Sequence, residues 1–160
     1  MSIVIVNSQG TKVYICAAAS TAVSDVAEIE TAITAGKQIG CIQDLGGLGS
    51  SRSVQEYTCL SSDESAKSSG SKSQGNFTVS LLFNAADAAG QAELVTMYEG
   101  SQTRTMIIEF NDNAGVSPTY ETFEGFVSSD EISAPKDGAV TLTNTIEIAS
   151  DRSRVLATAT

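Results

Sequence analysis

Residues 75–110 read GNFTVSLLFNAADAAGQAELVTMYEGSQTRTMIIEF, and this stretch decides the fold. Phe77, Val79, Leu81 and Phe83 alternate with Thr78, Ser80 and Leu82, which is a strand with one wholly apolar face. The period then lengthens. Asn84 and Asp87 are N-cap candidates, because their side-chain oxygens can accept the free N–H groups of a first helical turn. Gln91, Leu94, Val95 and Tyr98 follow at helical spacing, with Met97 beside them and Gly100 at the place of a C′ glycine. Arg104, Met106, Ile108 and Phe110 then alternate with Thr105, Ile107 and Glu109, giving a second strand that is apolar on both sides at Ile107. So short a helix is not stable alone in water; it must lie across a sheet, the one its flanking strands join. The core expected from this stretch is Phe77, Val79, Leu81, Phe83, Leu94, Tyr98, Ile108 and Phe110.

Working outward, Ser2 to Val6 is a short apolar start, an edge strand or an arm. Lys12 to Ala17 reads as a strand, with Val13 and Ile15 on one face and Tyr14 and Cys16 on the other. Ser24 or Asp25 can cap a helix over about 25–35, with Glu28 in capping-box position and Val26, Ile29, Ala32 and Ile33 as its apolar stripe. A β reading of Val26 to Ile33 stays open beside it. Lys37 to Leu45 reads as one strand, and Gly46 to Ser51 as a loop. The glycines lack a following Gly-Lys-Ser/Thr, so they form no phosphate cradle. Arg52 to Leu60 is a further strand. Ser61 to Gln74, SSDESAKSSGSKSQ, has almost no apolar side chain and reads as a long, mobile hairpin loop between two good strands. On the C-terminal side, Asn113-Ala114-Gly115 is turn chemistry. Thr119 to Ser128 is a strand with Ser129 to Ala134 as its continuation or partner, and Pro135 to Gly138 is a turn. In Ala139 to Ala149, Val140, Leu142, Ile146 and Ile148 face in and Thr141, Thr143, Thr145 and Glu147 face out, with Asn144 interrupting the inward set. Ser150 to Thr160 reads as a tail.

The chain is therefore expected to be one mainly β domain over 1–160. Its architecture is an antiparallel β sandwich or partly open barrel, with one flanking α-helix at about 87–99 and a second short helix at about 25–35. Exposed edges of such a sheet are a liability unless covered or used for assembly.

The chain has 160 residues, a net charge of −10, nine basic residues and no histidine. An acidic chain without clustered Lys and Arg does not bind nucleic acid by neutralising phosphates. Lack of histidine removes the commonest general base and metal ligand. Glu121 with Glu124, Asp130 with Glu131 and Asp63 with Glu64 are acid pairs whose members point to opposite strand faces, unlike a carboxylate pair across a cleft. Asn111-Asp112-Asn113 is the best calcium candidate, but too short for an EF-hand and better read as a turn. No catalytic residue, metal site or cofactor is expected. Cys16, Cys41 and Cys59 lack C-x-x-C spacing and read as small buried thiols in a reducing compartment. There is no run of about 20 apolar residues, so no membrane span is expected.

The order and spacing of these features resemble the tail tube proteins of long-tailed bacteriophages with non-contractile tails. The residues that carry the resemblance are Gly75, the strand Phe77 to Phe83, Asp87, Gly90-Gln91, Leu94, Tyr98, Gly100, Arg104, Ile108 and Phe110. A second block is Phe123, Gly125-Phe126-Val127-Ser128-Ser129, Ile132 and the strand Val140 to Ile148. Together they span roughly Gly36 to Arg154, and the segment Ala17 to Ala35 departs from the compact pattern. The resemblance implies a structural virion protein, assembled in the bacterial host cytoplasm, that stacks as hexameric rings into a tube through which DNA leaves. Its partners would be itself, the tape measure, the tail terminator and the distal tail protein. The long loop would reach the next ring, which makes Ser61, Ser62, Asp63, Glu64, Lys67, Lys72 and Gln74 its stacking candidates. The channel wall would come from polar strand faces, for which Glu56, Thr78, Ser80, Asp130, Thr141, Thr143, Thr145 and Glu147 are candidates. An acidic wall repels phosphate and lets DNA slide without specific binding. Two alternatives stay open: a tube subunit of a phage-tail-like bacteriocin or related secretion device, with the same fold and no DNA passage, and a monomeric β-sandwich binding module, which would need aromatics in loops where this chain has few.

Overall fold

The computed structural model describes residues 6, 8–17, 25–58, 60, 64–112 and 117–157. In chain order the elements are β1 (Lys12–Cys16), α1 (Val26–Ala35), β2 (Lys37–Gln38), β3 (Ile42–Leu45), β4 (Ser50–Thr58), β5 (Ser65–Gln74) and β6 (Asn76–Leu82). They continue with α2 (Gly90–Glu99), β7 (Arg104–Phe110), β8 (Thr119–Ser133), β9 (Thr141–Ile148) and β10 (Ser153–Val155). One antiparallel sheet runs β2-β1-β7-β8-β9-β6-β3, and β10 adds a second partner to the first half of β8. β4 and β5 form a separate two-stranded ribbon.

The edges of the large sheet are β2 and β3, yet only Ile39-Gly40-Cys41 lies between them. So few residues span at most about 14 Å, so the sheet must fold over until its two edges nearly meet. The edges are not paired with each other, which leaves a partly open barrel. Its interior is filled by the inward residues of every long strand: Val13 and Ile15, Phe77, Val79 and Leu81, Met106 and Ile108, Phe123 and Val127, Leu142, Ile146 and Ile148. Leu94 and Met97 of α2 pack into the same cluster, and the Phe77 and Phe123 rings meet edge to face at 5.3 Å. α1 lies on the opposite face, where Ile29 packs with Tyr14, Cys16, Ile107 and Tyr120. This second cluster explains why β7 is apolar on both sides at Ile107.

Several expectations are corrected. Lys37 to Leu45 is not one strand: the alternation continues through Ile39 and Cys41 while the chain turns a corner, with Cys41 at φ 58°. Asp25 precedes α1 but makes no side-chain cap bond. The left-handed residue after α2 is Ser101, at φ 49°, while Gly100 keeps helical φ and ψ. Phe83 is half exposed because it lies past the end of β6, where its N–H bonds the Val140 carbonyl. Tyr98 is also exposed, because one residue after Met97 it is rotated about 100° round the helix from the face that buries Leu94 and Met97. Phe110 is partly buried against the core. Cys16 is buried but Cys41 is exposed. Ser61 to Gln74 is largely a strand, since β5 pairs with β4 from Thr58↔Ser65 to Ser50↔Gln74. Nearly all of this arm is exposed on both faces, so backbone pairing rather than burial holds it. The 150–160 tail contains β10. Ser2 to Ile5, Cys59, Ser61, Ser62, Asp63 and the turn at Asn113-Ala114-Gly115 lie outside the described residues.

Candidate functional site

Three features stand out from the core: the corner between the sheet edges, a polar half-face, and the arm. The corner is gripped from α2 and the loop before it. The Asp87 carboxylate accepts the N–H of Gly40 at 3.0 Å and the N–H of Gly90, the first residue of the helix, at 2.9 Å. Gln91 donates to the Leu82 carbonyl at 2.8 Å and the Gly40 carbonyl at 3.3 Å, and accepts the Asn84 N–H at 3.0 Å. Glu93, buried two residues later, meets Lys37 at 2.6 Å and Arg104 at 3.4 Å. Burial opposes ionisation of Asp87, but the N–H groups of Gly90, Gly40, Ala89 and Gln91 outweigh it and hold its carboxyl below the usual aspartate range. All of these groups are consumed in structure; the cluster is a brace, with no nucleophile or base left over.

The outward side of the large sheet divides in two. Over β1, β7 and the first half of β8 it is apolar and covered by α1. Over β3, β6, β9 and the second half of β8 it is mostly polar and no helix covers it, with Leu82 and the exposed Phe126, beside Glu147, as its apolar members. The register there sets Asp44, Ser80, Thr143 and Glu131 in one row across four strands. Thr78, Thr145 and Ser129 form the next row, and Leu82, Thr141 and Ser133 another. Glu147 stands beside Asn76, whose amide it accepts at 3.2 Å. The paired segments of these strands carry no Lys or Arg. Thr78, Ser80, Thr141, Thr143, Thr145 and Glu147 are thus brought together on one face. The other two wall candidates are not. A bulge between Val127 and Ser129 flips the alternation of β8, so Asp130 points to the inner side, where it accepts the amide of the buried Asn144 at 2.8 Å. Glu56 sits on the arm opposite Lys67. Sequence reasoning missed Asp44 and Glu131 as members of this face, since only the register across β3 and β8 places them there.

The arm leaves the body through Gly49 and returns through Gly75, whose N–H bonds the Gly49 carbonyl at 2.9 Å. Val54 and Tyr57 are exposed along it. Of the described stacking candidates, Glu64 and Lys67 lie toward the far end. Lys72 and Gln74 lie at the base, where both donate to Asp151, Lys72 at 2.7 Å. Residues 50–74 hold Arg52, Lys67 and Lys72 against Glu56, Asp63 and Glu64. The arm is therefore neutral, and the whole of the −10 net charge belongs to the body.

The chain matches the family model for the phage tail tube, TTP, lambda-like, over residues 4–156. It belongs to that family. This is accordingly a tail tube protein, a structural component of the virion and not an enzyme. It matches no curated protein sequence. Its fold is similar to a chain in the hybrid solid-state NMR and cryo-EM structure of the SPP1 tail tube, at 14% identity and a TM-score of 0.63, over 98% of this chain and 81% of that one. It is also similar to a chain of the six-fold symmetrised anti-feeding prophage baseplate, at 12% identity and 0.68, over 98% of both. A chain of the PVC extracellular contractile injection system sheath–tube complex aligns at 13% identity and 0.67, over 96% of this chain and 93% of that one. At such identities the likeness is one of fold.

The three features of this tail tube protein are structurally distinct. The brace ties α2 to the corner between the sheet edges, the polar half-face has no helix on it, and the arm pairs only with itself apart from its base. Among the described residues no cluster of three or more Cys, Asp or Glu could hold a metal, and no helix is long and apolar enough to cross a membrane.

Proposed function

We propose that this tail tube protein polymerises as stacked six-fold rings, with the polar half-face of β3, β6, β8 and β9 lining the channel through which DNA is ejected. The observation that carries this reading is a four-strand sheet face made mostly of threonine and serine, with Asp44, Glu131 and Glu147 and no cation, and with Leu82 and Phe126 as its apolar members toward the margins. A core face of that composition would bury unsatisfied hydroxyls, and a DNA-binding face would need Lys or Arg. A wall past which DNA slides needs hydroxyls for wetting and carboxylates that repel phosphate. Each added copy brings a further −10 to the tube. The arm, neutral and free of the body's charge, reaches the next ring without adding to that repulsion. The ends of the tube meet the tape measure, terminator and distal tail proteins, and assembly takes place in the host cytoplasm. A tube subunit of a phage-tail-like injection device would share the fold, but the family match is to phage tail tubes.

The test is electron microscopy with helical reconstruction of tubes grown from the purified protein, seeded with an initiator complex if it stays dispersed. In a Cys41→Ser, Cys59→Ser background, which leaves only the buried Cys16, a Thr143→Cys variant labelled with a heavy-atom cluster should place density on the channel wall. Density between subunits or on the outer surface would overturn the wall assignment. Failure to form tubes even with the initiator would overturn the polymerisation reading.

A further inference from the structure

The arm is tied to the body at its base through two neighbouring residues, Asp151 and Arg152. Asp151 accepts from Lys72 and Gln74 of β5. Arg152 donates to Ser50 Oγ of β4 at 3.3 Å and to the Leu48 carbonyl at 3.4 Å. Ser50 and Gln74 are register partners at the first rung of the arm, so one short segment holds both strands where they leave the body. That segment is itself anchored. Arg152 Nη1 lies 3.1 Å from one oxygen of Glu121, and Arg154 Nε lies 2.7 Å from the other. The Glu121 side chain is only 4% exposed, and β10 continues the anchor by pairing with β8 across Glu121. The backbone itself supplies little at the junction: Gly75 N–H to Gly49 and Ile148 N–H to the Gly75 carbonyl at 3.1 Å. A two-stranded ribbon with no buried apolar face, hung on glycines, has no packing to give it a direction.

We propose that Asp151 and Arg152 are positioning residues that fix the direction of the arm relative to the body, so that the C-terminal segment sets the arm for contact with the next ring. The final clause rests on the stacking reading above; the positioning itself does not. The two residues contribute differently. The Lys72–Asp151 pair is exposed and screened by salt. Arg152 spreads one planar guanidinium over Glu121, Leu48 and Ser50, a fork that a lysine ammonium cannot reproduce. Arg152→Lys therefore keeps a cation beside the buried Glu121 and removes the bridge to the arm, whereas Arg152→Ala would endanger the fold by leaving that carboxylate to Arg154 alone.

The experiment compares residual dipolar couplings of backbone amides in the unassembled full-length protein and in Asp151→Ala, Arg152→Lys and the double variant. In the unmodified protein, arm and body couplings should fit one alignment tensor. In the double variant the arm couplings should fall by about half or more as its direction averages, with body couplings and circular dichroism unchanged. Arm couplings that still fit the body's tensor in the double variant, or that are already averaged in the unmodified protein, would overturn the positioning. Tube growth with the initiator complex separates the second clause. Arm averaging together with wild-type tube yield would overturn the link to stacking and leave the positioning in place. Failure of the unmodified protein to form tubes would overturn the stacking reading alone.

Discussion

The carboxylate of Asp87 and the backbone N–H of Gly40 meet at 3.0 Å, and the bond joins the entrance of α2 to the point where the chain passes from one sheet edge to the other. Asp87 must be ionised to serve both Gly40 and Gly90 well, and its folded pKa lies below the ordinary value of 3.8. A depressed folded pKa gives stability that is fully present above the unfolded value and is lost as pH falls through the folded one. Asp87→Asn should therefore lower the urea midpoint at pH 7, and the gap from the unmodified protein should close in acid, as pH falls from the ordinary aspartate value of 3.8 through the lower folded one. An equal gap at both pH values would show that ionisation of Asp87 is irrelevant to the brace.

Gly90 is the other half of that contact. A Cβ placed there would overlap the Gln38 carbonyl oxygen and lie 2.6 Å from Ile39 Cα. These are backbone atoms of the corner, and they cannot swing aside as a side-chain tip can. Gly90→Ala should cost about 2–3 kcal/mol or more, despite alanine's better helix propensity. Chemical denaturation checks this; an unchanged or raised midpoint would mean that the corner yields freely.

Ser101 ends α2 in the position that glycine usually takes. Its N–H bonds the Tyr98 carbonyl at 3.3 Å, and the Gln102 N–H bonds the Met97 carbonyl at 3.0 Å, the Schellman pattern with Ser101 at φ 49°. Relief of the left-handed strain at a Cβ-bearing residue should make Ser101→Gly about 0.5–1 kcal/mol more stable. The thermal midpoint would rise by a few degrees, and a fall would sink the argument.

The thiols differ in reach. Burial pushes the Cys16 thiol up to about 11, and its sulfur lies 3.3 Å from the Ala32 carbonyl. Cys41 is exposed at the corner. In a Cys59→Ser background, a disulfide reagent at pH 8 should modify Cys41 within the mixing time of a slow assay and Cys16 only on unfolding. Equal rates would contradict the packing of α1 on β1.

The elements that alternation or helical period can reveal are legible in the sequence: β6, α2 and β7, the outward threonines of β9, and the stripe of α1. What stayed hidden has physical causes. The corner at Ile39-Gly40-Cys41 keeps the apolar alternation of a strand, and its left-handed residue is a cysteine, so Gly40 alone marks the turn. β4 is legible as the strand Arg52 to Leu60, displaced by two residues, but the arm has no buried face, so β5 carries no burial pattern; Ser65 to Gln74 looks like linker because nothing apolar is required of it. Asp130 and Glu131 could not be assigned to faces without the bulge at Val127/Ser129. Arg152 and Arg154 alternate about Ser153, and that spacing was the one available hint that the tail holds a strand with both guanidiniums on a single side.

Because Gly49 and Gly75 touch, everything between them is, for the body, a closed excursion that begins and ends at one point. Its length is therefore decoupled from the folding of the rest. Beyond the base rungs that Asp151 and Arg152 hold, the arm can be shortened, extended or exchanged for another hairpin with only the slow logarithmic penalty of a larger loop, while Asp87, Gly90 and the folded-over sheet go on specifying the same subunit. Changes of length and stiffness in the excursion are thus left untested by the core.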